Sequence, residues 1–256
     1  MEKKVNILLS IIIPVYILNK ELYIMTTKCL KDIINSTKNI NVEIIVVDDN
    51  SPNQNYIEML IKVFPNITLI KNNINLGFAK SINKGIKSSK GNLILLLNND
   101  IEINNIKCIE NMIDDILSTD VGAISPSIGA LDSNLKYLGE RKEIKLYQNG
   151  FAYLVGWCML VKRDVFENVG IFPENFNKGY FEDTLFSQMM MWGGVKLGVC
   201  KDNMSIKHFG HRTFAAAGYN LSKEFETKSI IFKRILEGKE KIISEKLPKL
   251  KEYANS

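Results

Sequence analysis

Short apolar runs punctuate the first half of the chain, at residues 8–15, 42–47, 67–70, 92–97 and 121–125. Helical patterns fall between them, at about residues 20–35, 53–64, 78–89 and 105–118. Short, mainly apolar runs read as strands, and the unbroken Leu93–Leu97 as one buried on both faces. Their alternation with amphipathic helices predicts an α/β fold, a parallel sheet wrapped by helices on both sides with right-handed crossovers. After residue 126 the pattern breaks into a mixed polar segment, 127–148, read as a long loop or short irregular strands of the kind that carries specificity. Residues 151–161 return to strand composition, 163–169 and 182–192 read as helices, and 195–199 and 204–209 as short strands. From Ala216 onward Phe225, Ile230, Ile231, Ile235, Leu236, Ile242, Ile243 and Leu247 recur among charges, a helical tail. The expected organisation is one domain over residues 1–215 and a basic amphipathic tail over 216–256.

The ends of the strands carry the chemistry. The run Leu93-Ile94-Leu95-Leu96-Leu97 stops at Asn98-Asn99-Asp100. Residues 43–47 stop at Asp48-Asp49-Asn50-Ser51-Pro52, and the first run at Pro14-Val15-Tyr16. Open α/β sheets bind ligands just beyond the carboxyl ends of their strands, so these three stops outline one crevice. Asp100 there is a hard oxygen donor suited to a divalent cation carrying phosphates, although Asn and Asp also simply favour turns. Asp49 can accept from a nucleobase N–H, and Tyr16 offers a ring for stacking or a half-buried aromatic at a strand end. Asn75 and Gly77 precede the helix at 78–89; Gly77 permits close backbone approach, and the helix start favours an anion.

Glu182 and Asp183 open a helix, where carboxylates cap the positive end of the dipole or serve as a general base. His208 ends a strand as a candidate metal ligand beside Asp100, and Arg212 is a candidate bidentate donor to phosphate oxygens. Trp157 reads equally as a platform for a sugar ring and as core. Neither G-x-G-x-x-G nor G-x-x-x-x-G-K-[ST] follows the first strand, so side chains and a metal hold the ligand rather than a glycine-rich loop.

Composition narrows the class. With 256 residues, 46% hydrophobic and 24% charged, the chain reads as a soluble globular protein. Cys29, Cys108, Cys158 and Cys200 are spread without a C-x-x-C pair, which argues against a zinc cage or disulfide framework and fits a reducing compartment. Lys3 and Lys4 before an apolar stretch imitate a signal peptide, but Pro14 interrupts it and no small-x-small site follows. No stretch approaches the ~20 apolar residues that span a bilayer. The expected location is the cytoplasm, with the inner face of the membrane as the alternative.

Net charge is +5, and residues 216–256 supply nine Lys/Arg against six Glu, a net +3. Such a helix lies on an anionic membrane, on a partner or second copy, or on its own domain; its mixed signs favour packing. A modest basic excess with no arginine-rich stripe argues against nucleic acid.

The ordered set Ile11-Ile12-Ile13-Pro14-Val15-Tyr16, Val46-Val47-Asp48-Asp49-Asn50-Ser51, Asn75-Leu76-Gly77-Phe78-Ala79 and Leu96-Leu97-Asn98-Asn99-Asp100 is continued downstream. There it runs through Gly156, Val169-Gly170-Ile171-Phe172-Pro173-Glu174, Glu182-Asp183 and His208-Phe209-Gly210. Over residues 8–214 this series resembles family 2 glycosyltransferases. The resemblance implies a GT-A fold, a nucleotide-sugar donor (UDP- or dTDP-linked), inversion at the anomeric carbon, and Mn²⁺ or Mg²⁺ as cofactor. It implies a hydroxyl acceptor on a cell-surface glycan, a lipid-linked saccharide or a protein. By resemblance Asp100 is the last residue of a D-x-D motif and binds the metal on the diphosphate. Asp49 contacts the base between Pro14 and Tyr16, Asp183 is the catalytic base, and His208 lies near metal and diphosphate.

Two positions depart from the family pattern. Asn98 replaces the first carboxylate of D-x-D, as in rhamnosyltransferase-like Asn-x-Asp members, and Ile17 replaces the Asn that usually follows Pro-x-Tyr. The competing readings are a sugar-phosphate nucleotidyltransferase, which needs a glycine-rich loop where Pro14-Val15-Tyr16 stands, and a non-catalytic scaffold of the same fold.

Overall fold

The computed structural model describes residues 8–141, 150–177, 179–202, 205–210 and 212–249. The first half follows the alternation read from the pattern: β1 (Leu9–Val15), α1 (Lys20–Ser36), β2 (Val42–Asp48), α2 (Gln54–Val63), β3 (Thr68–Lys71), α3 (Phe78–Ser88) and β4 (Leu93–Leu97). Then come β5 (Ile101–Ile103), α4 (Cys108–Leu117), β6 (Ala123–Ser125), β7 (Ile128–Leu131), β8 (Tyr137–Arg141), β9 (Phe151–Leu154) and β10 (Cys158–Lys162). The last third holds α5 (Arg163–Asn168), α6 (Glu182–Trp192), β11 (Leu197–Val199), β12 (Ile206–His208), α7 (Arg212–Ala216) and α8 (Leu221–Leu236).

Local chemistry explains several boundaries. Asn19 caps α1 by accepting from the Leu22 N–H at 3.0 Å, and Asn53 caps α2 through the Asn55 N–H. Gly77, at φ 85°, turns the chain into α3 without a side-chain cap of its own.

The main sheet has the order β11-β6-β10-β4-β1-β2-β3. Parallel pairing sets Val15 opposite Asp48 and Ile12 opposite Leu96, so β1, β2 and β4 end at one edge. Strand residues alternate between two buried clusters. Leu9, Ile11, Ile13 and Val15 pack with α1, α2 and α4, while Ile12, Ile45 and Val47 pack with α3, α5 and α6. Helices therefore cover both faces.

The sheet is mostly parallel, as expected, and one strand runs against the others. β10 enters antiparallel between β4 and β6, with Cys158 opposite Leu97 and Lys162 opposite Leu93. Its reversed direction brings Gly156 and Trp157, at its start, to the edge where β4 finishes. The single strand expected over 151–161 is accordingly two, because the chain turns at Val155-Gly156-Trp157 and leaves one sheet for another. The segment expected as an irregular loop contributes β7 and β8, which with β9 form a three-stranded antiparallel sheet; residues 142–148 of it lie outside the described residues. The strand expected over 204–209 is described as β12, paired to β5; Met204 also lies outside the described residues.

A third apolar cluster joins Leu131, Leu135, Phe176, Phe181, Leu185 and Met189 to Phe232 and Ile235 of α8. Beyond α8 the chain runs back along α5, where the Leu247 N–H donates to the Phe166 carbonyl. No helix among the described residues is long and apolar enough to cross a membrane. All four cysteines are free and buried, and burial pushes the thiols of Cys108 and Cys200 up to about 12.

Candidate active site

A cleft of about 840 Å³ opens where β1, β2 and β4 end. Every site residue singled out from the sequence lines it: Pro14, Val15, Tyr16, Asp49, Asn75, Gly77, Asn98, Asn99, Asp100, Trp157, Glu182, Asp183, His208 and Arg212. The convergence comes from the common edge of the parallel strands, the reversed entry of β10, and the β5–β12 ladder.

That ladder positions the candidate metal ligands. His208 pairs with Ile101 in antiparallel register, and the Phe209 N–H donates to the Asp100 carbonyl at 3.0 Å. The imidazole is thereby set against the carboxylate, with His208 Nε2 3.1 Å from Asp100 Oδ1. Asn98 Nδ2 lies 3.4 Å from the same Nε2, and the Trp157 ring stacks on His208 at a centroid distance of 4.9 Å. Trp157 is neither wholly core nor a free platform. One face covers the imidazole, and its Nε1–H donates to Glu140 Oε1 at 3.3 Å. Asn99 turns back toward α1, where its amide donates to Thr26 Oγ1 at 2.8 Å and anchors the loop.

The pair fits a divalent cation by two observations. Asp100 Oδ1 is buried without a hydrogen-bond partner, a state that costs free energy unless something else satisfies it. Two neighbouring ligands of an octahedral ion at about 2.1 Å would lie about 3.0 Å apart, close to the observed oxygen–nitrogen separation. An imidazole beside one carboxylate suits Mn²⁺ better than Mg²⁺, which prefers oxygen throughout. No group of three or more His, Cys, Asp or Glu side chains converges among the described residues, so phosphate and water would complete the shell.

Asp49 has a local task that the sequence did not disclose. Its carboxylate accepts from Asn72 Nδ2 at 2.8 Å, the Leu76 N–H at 2.7 Å and the Gly77 N–H at 2.8 Å. The end of β2 thus holds the loop that leads into α3, while Asp48 caps its own turn through the Ser51 N–H. Arg212 stands exposed at the rim, its guanidinium 5.9 Å from the Phe209 ring.

Elsewhere along the cleft, α6 begins in a strained turn. Tyr180 and Phe181 adopt left-handed φ values of 69° and 68°, rare for bulky side chains and characteristic of functional sites. The next two residues are Glu182 and Asp183. Asp183 Oδ2 accepts from the Gly156 N–H at 3.0 Å, and Oδ1 from the Thr184 N–H at 2.7 Å. Burial raises its pKa above the ordinary carboxylate range, and these hydrogen bonds oppose the rise. Glu182 is raised further, first by burial and then by the charge of Asp183, and its Oε2 has no partner to resist. A Cβ at residue 156 would sit 3.3 Å from Asp183 Oδ2 and 3.1 Å from its Cβ. Gly156→Ala is therefore expected to displace the carboxylate and lower turnover about tenfold, with unchanged melting temperature, measured by steady-state kinetics and calorimetry.

The cleft also contains residues the sequence reading passed over, among them Tyr137, Glu140, Tyr153, Tyr180 and Phe225. They come from the antiparallel sheet and from α8, elements that carry no strand-end signature. Only a pairing prediction for β7, β8 and β9 could have pointed to the first three.

Comparison with known proteins places this geometry. The sequence profile of "Glycosyl transferase family 2" matches residues 10–170, more than half of the chain. The chain belongs to that family. A dolichyl-phosphate beta-glucosyltransferase, ALG5A, of Trichomonas vaginalis is 27% identical over 158 residues, 59% of this chain and 49% of the relative. An uncharacterized glycosyltransferase of Haemophilus influenzae is 36% identical over 93 residues, 36% of this chain and 29% of the relative. The chain thus spans about half or less of the length of these relatives.

Among solved structures, the mannosyltransferase PcManGT of Pyrobaculum calidifontis, in complex with GDP-Man and Mn²⁺, superposes with a TM-score of 0.58. The identity is 16%, covering 87% of this chain and 64% of the other. GalNAc-T7 with UDP, GalNAc and Mn²⁺ gives a TM-score of 0.61 at 14% identity, covering 80% and 44%. The fold of this family 2 chain is therefore α/β, a mostly parallel mixed sheet flanked by helices with a C-terminal helix, in line with GT-A.

Proposed function

We propose that this chain is an inverting, metal-dependent glycosyltransferase that moves a sugar from a UDP- or dTDP-linked donor to a hydroxyl of a glycan, a lipid-linked saccharide or a protein. The observation that carries the reading is a half-buried, hydrogen-bonded carboxyl, Asp183, lining the same cleft as the Asp100–His208 pair. Family membership and the sugar-nucleotide complexes of the similar structures support the donor class.

The residues divide the work by position. Pro14, Val15, Tyr16 and Asp49 bound the end of the cleft assigned to the nucleoside, with Asn75 and Gly77 presenting backbone at the start of α3. Asp100 and His208 would hold the cation, and Asn98 contributes an amide where the family's usual motif has a second carboxylate. A bound divalent cation would stabilise negative charge on the departing diphosphate. Arg212 at the rim adds a fixed positive charge that neutralises the same oxygens. Asp183, beside Glu182 at the start of α6, takes the proton from the acceptor hydroxyl as it attacks the anomeric carbon from the face away from the leaving group, with Trp157 between this carboxyl and the His208 side of the cleft. Alignment of these groups across one cleft supplies much of the rate through positioning.

The test is incubation with UDP-, dTDP- and GDP-sugars with and without Mn²⁺. Slow, Mn²⁺-dependent release of nucleoside diphosphate in the absence of acceptor is the expected result. Binding without release under every condition would favour the scaffold reading, and no binding at all would overturn the donor class.

A further inference from the structure

The C-terminal helix supplies a charge to the catalytic wall. The buried residues of α8 are Phe232, Ile235 and, unexpectedly, Lys228. Phe225, Lys228, Phe232 and Ile235 are spaced by three and four residues and so share one helical face. That face packs on the strained turn that presents Glu182. The Phe225 and Phe232 rings lie 4.9 and 5.2 Å from the Phe181 ring, and Phe225 meets Tyr180 edge-on at 5.8 Å. Lys228 sits between the two phenylalanines, 7% exposed, with Glu224 Oε2 3.6 Å from its Nζ. Glu182, which follows the turn that this face covers, is also 7% exposed, with Oε2 lacking any hydrogen-bond partner. A lysine inside an apolar stripe is costly to bury unless its charge is answered, and so is a carboxyl buried without a donor. Glu224 answers Lys228 at 3.6 Å, and Glu182 Oε2 has no hydrogen-bond donor at all.

We propose that Lys228 is the counter-charge of the Glu182–Asp183 pair, a positioning residue through which α8 sets how readily that pair gives up a proton. Its effect on turnover rests on Asp183 being the base. The titratable groups facing Glu182 are Asp183 on α6, Tyr180 in the turn, Tyr153 on β9, and Lys228 with Glu224 on α8. Lys228 alone among them is a cation, and the direction of its influence on Glu182 is downward, against burial and Asp183. Because the two carboxyls are adjacent, their protons leave in steps that belong to the pair. An opposite charge favours the ionised form, so removing Lys228 moves both steps to higher pH.

The experiment titrates the full chain by infrared spectroscopy, following the protonated-carboxyl band assigned by its loss in Glu182→Gln and Asp183→Asn. Lys228→Met is expected to shift that band's midpoint upward by about one pH unit, and Lys228→Arg to leave it near wild type. In Glu182→Gln, adding Lys228→Met should shift the remaining Asp183 step by much less, since the two act through one carboxyl. The acid limb of the transfer rate should follow the band, an about tenfold loss of rate on that limb with little change at high pH. An unmoved infrared midpoint in folded Lys228→Met, or a rate lowered by the same factor at every pH, would overturn the proposal. A moved midpoint with an unmoved rate profile would instead retain Lys228 and refute Asp183 as the base. Should Lys228→Met fail to fold, Lys228→Gln carries the same two readouts.

Discussion

Asp183→Asn is expected to lower sugar transfer by about 10²–10⁴-fold while leaving donor affinity within a few-fold of wild type. The substitution keeps the side chain's shape and one acceptor oxygen for the Gly156 or Thr184 N–H, and gives up the hydrogen bond to the other, which the amide nitrogen cannot accept. What it removes is a carboxylate held by two backbone donors and able to receive a proton. The pH dependence has a definite sign. The carboxyl is raised by burial, and its base form accumulates only as pH climbs through that raised value. Wild-type transfer should therefore fall away on the acid side at a higher pH than an ordinary aspartate would dictate, and the residual rate of Asp183→Asn should lack that limb. Steady-state rates across pH, beside calorimetric donor binding, check both statements. Near wild-type transfer by the variant would remove Asp183 from the mechanism.

The second large effect belongs to Asp100. Its Oδ1 is buried, makes no hydrogen bond and lies 3.1 Å from His208 Nε2, so Asp100→Ala deletes the carboxylate that this pair offers to a cation. Loss of about 3 kcal/mol of charge stabilisation on the leaving diphosphate corresponds to about 10²-fold in rate. Donor binding should lose its Mn²⁺ dependence, because the Asn98 amide cannot replace an anionic ligand. Calorimetry with and without Mn²⁺ reads this directly; a variant that still binds donor more tightly with Mn²⁺ places the ion elsewhere. The melting temperature is expected to hold or rise slightly, since an unsatisfied buried oxygen disappears with the substitution.

Much of the donor side was legible in the chain. An apolar run that stops at polar residues is a local signal, and the parallel register then carries Val15, Asp48 and the Asn98–Asp100 turn to a common edge without further information. Asp183 was legible too, as a carboxylate opening a helix. The detail of what these groups touch was not. Asp49 holds the Asn72–Gly77 segment through three hydrogen bonds to partners more than twenty residues away, and Trp157 covers His208 from a strand fifty residues distant. The opposite wall was least legible, because Tyr137, Glu140 and Tyr153 sit on a small antiparallel sheet whose pairing depends on a turn outside any regular alternation.

The sequence by itself determined the helix–strand alternation, the polar strand ends and the family series, since each depends on residues close together in the chain. Tertiary structure alone decided three things: the reversed entry of β10 that brings Gly156 to Asp183, the pairing of β5 with β12 that sets His208 against Asp100, and the return of α8 that packs its buried face on the turn before Glu182. In each of these the partners are distant in sequence. Burial and pairing, rather than spacing, set their chemistry, because a carboxyl or an ammonium acquires its working character only when water is replaced by specific neighbours.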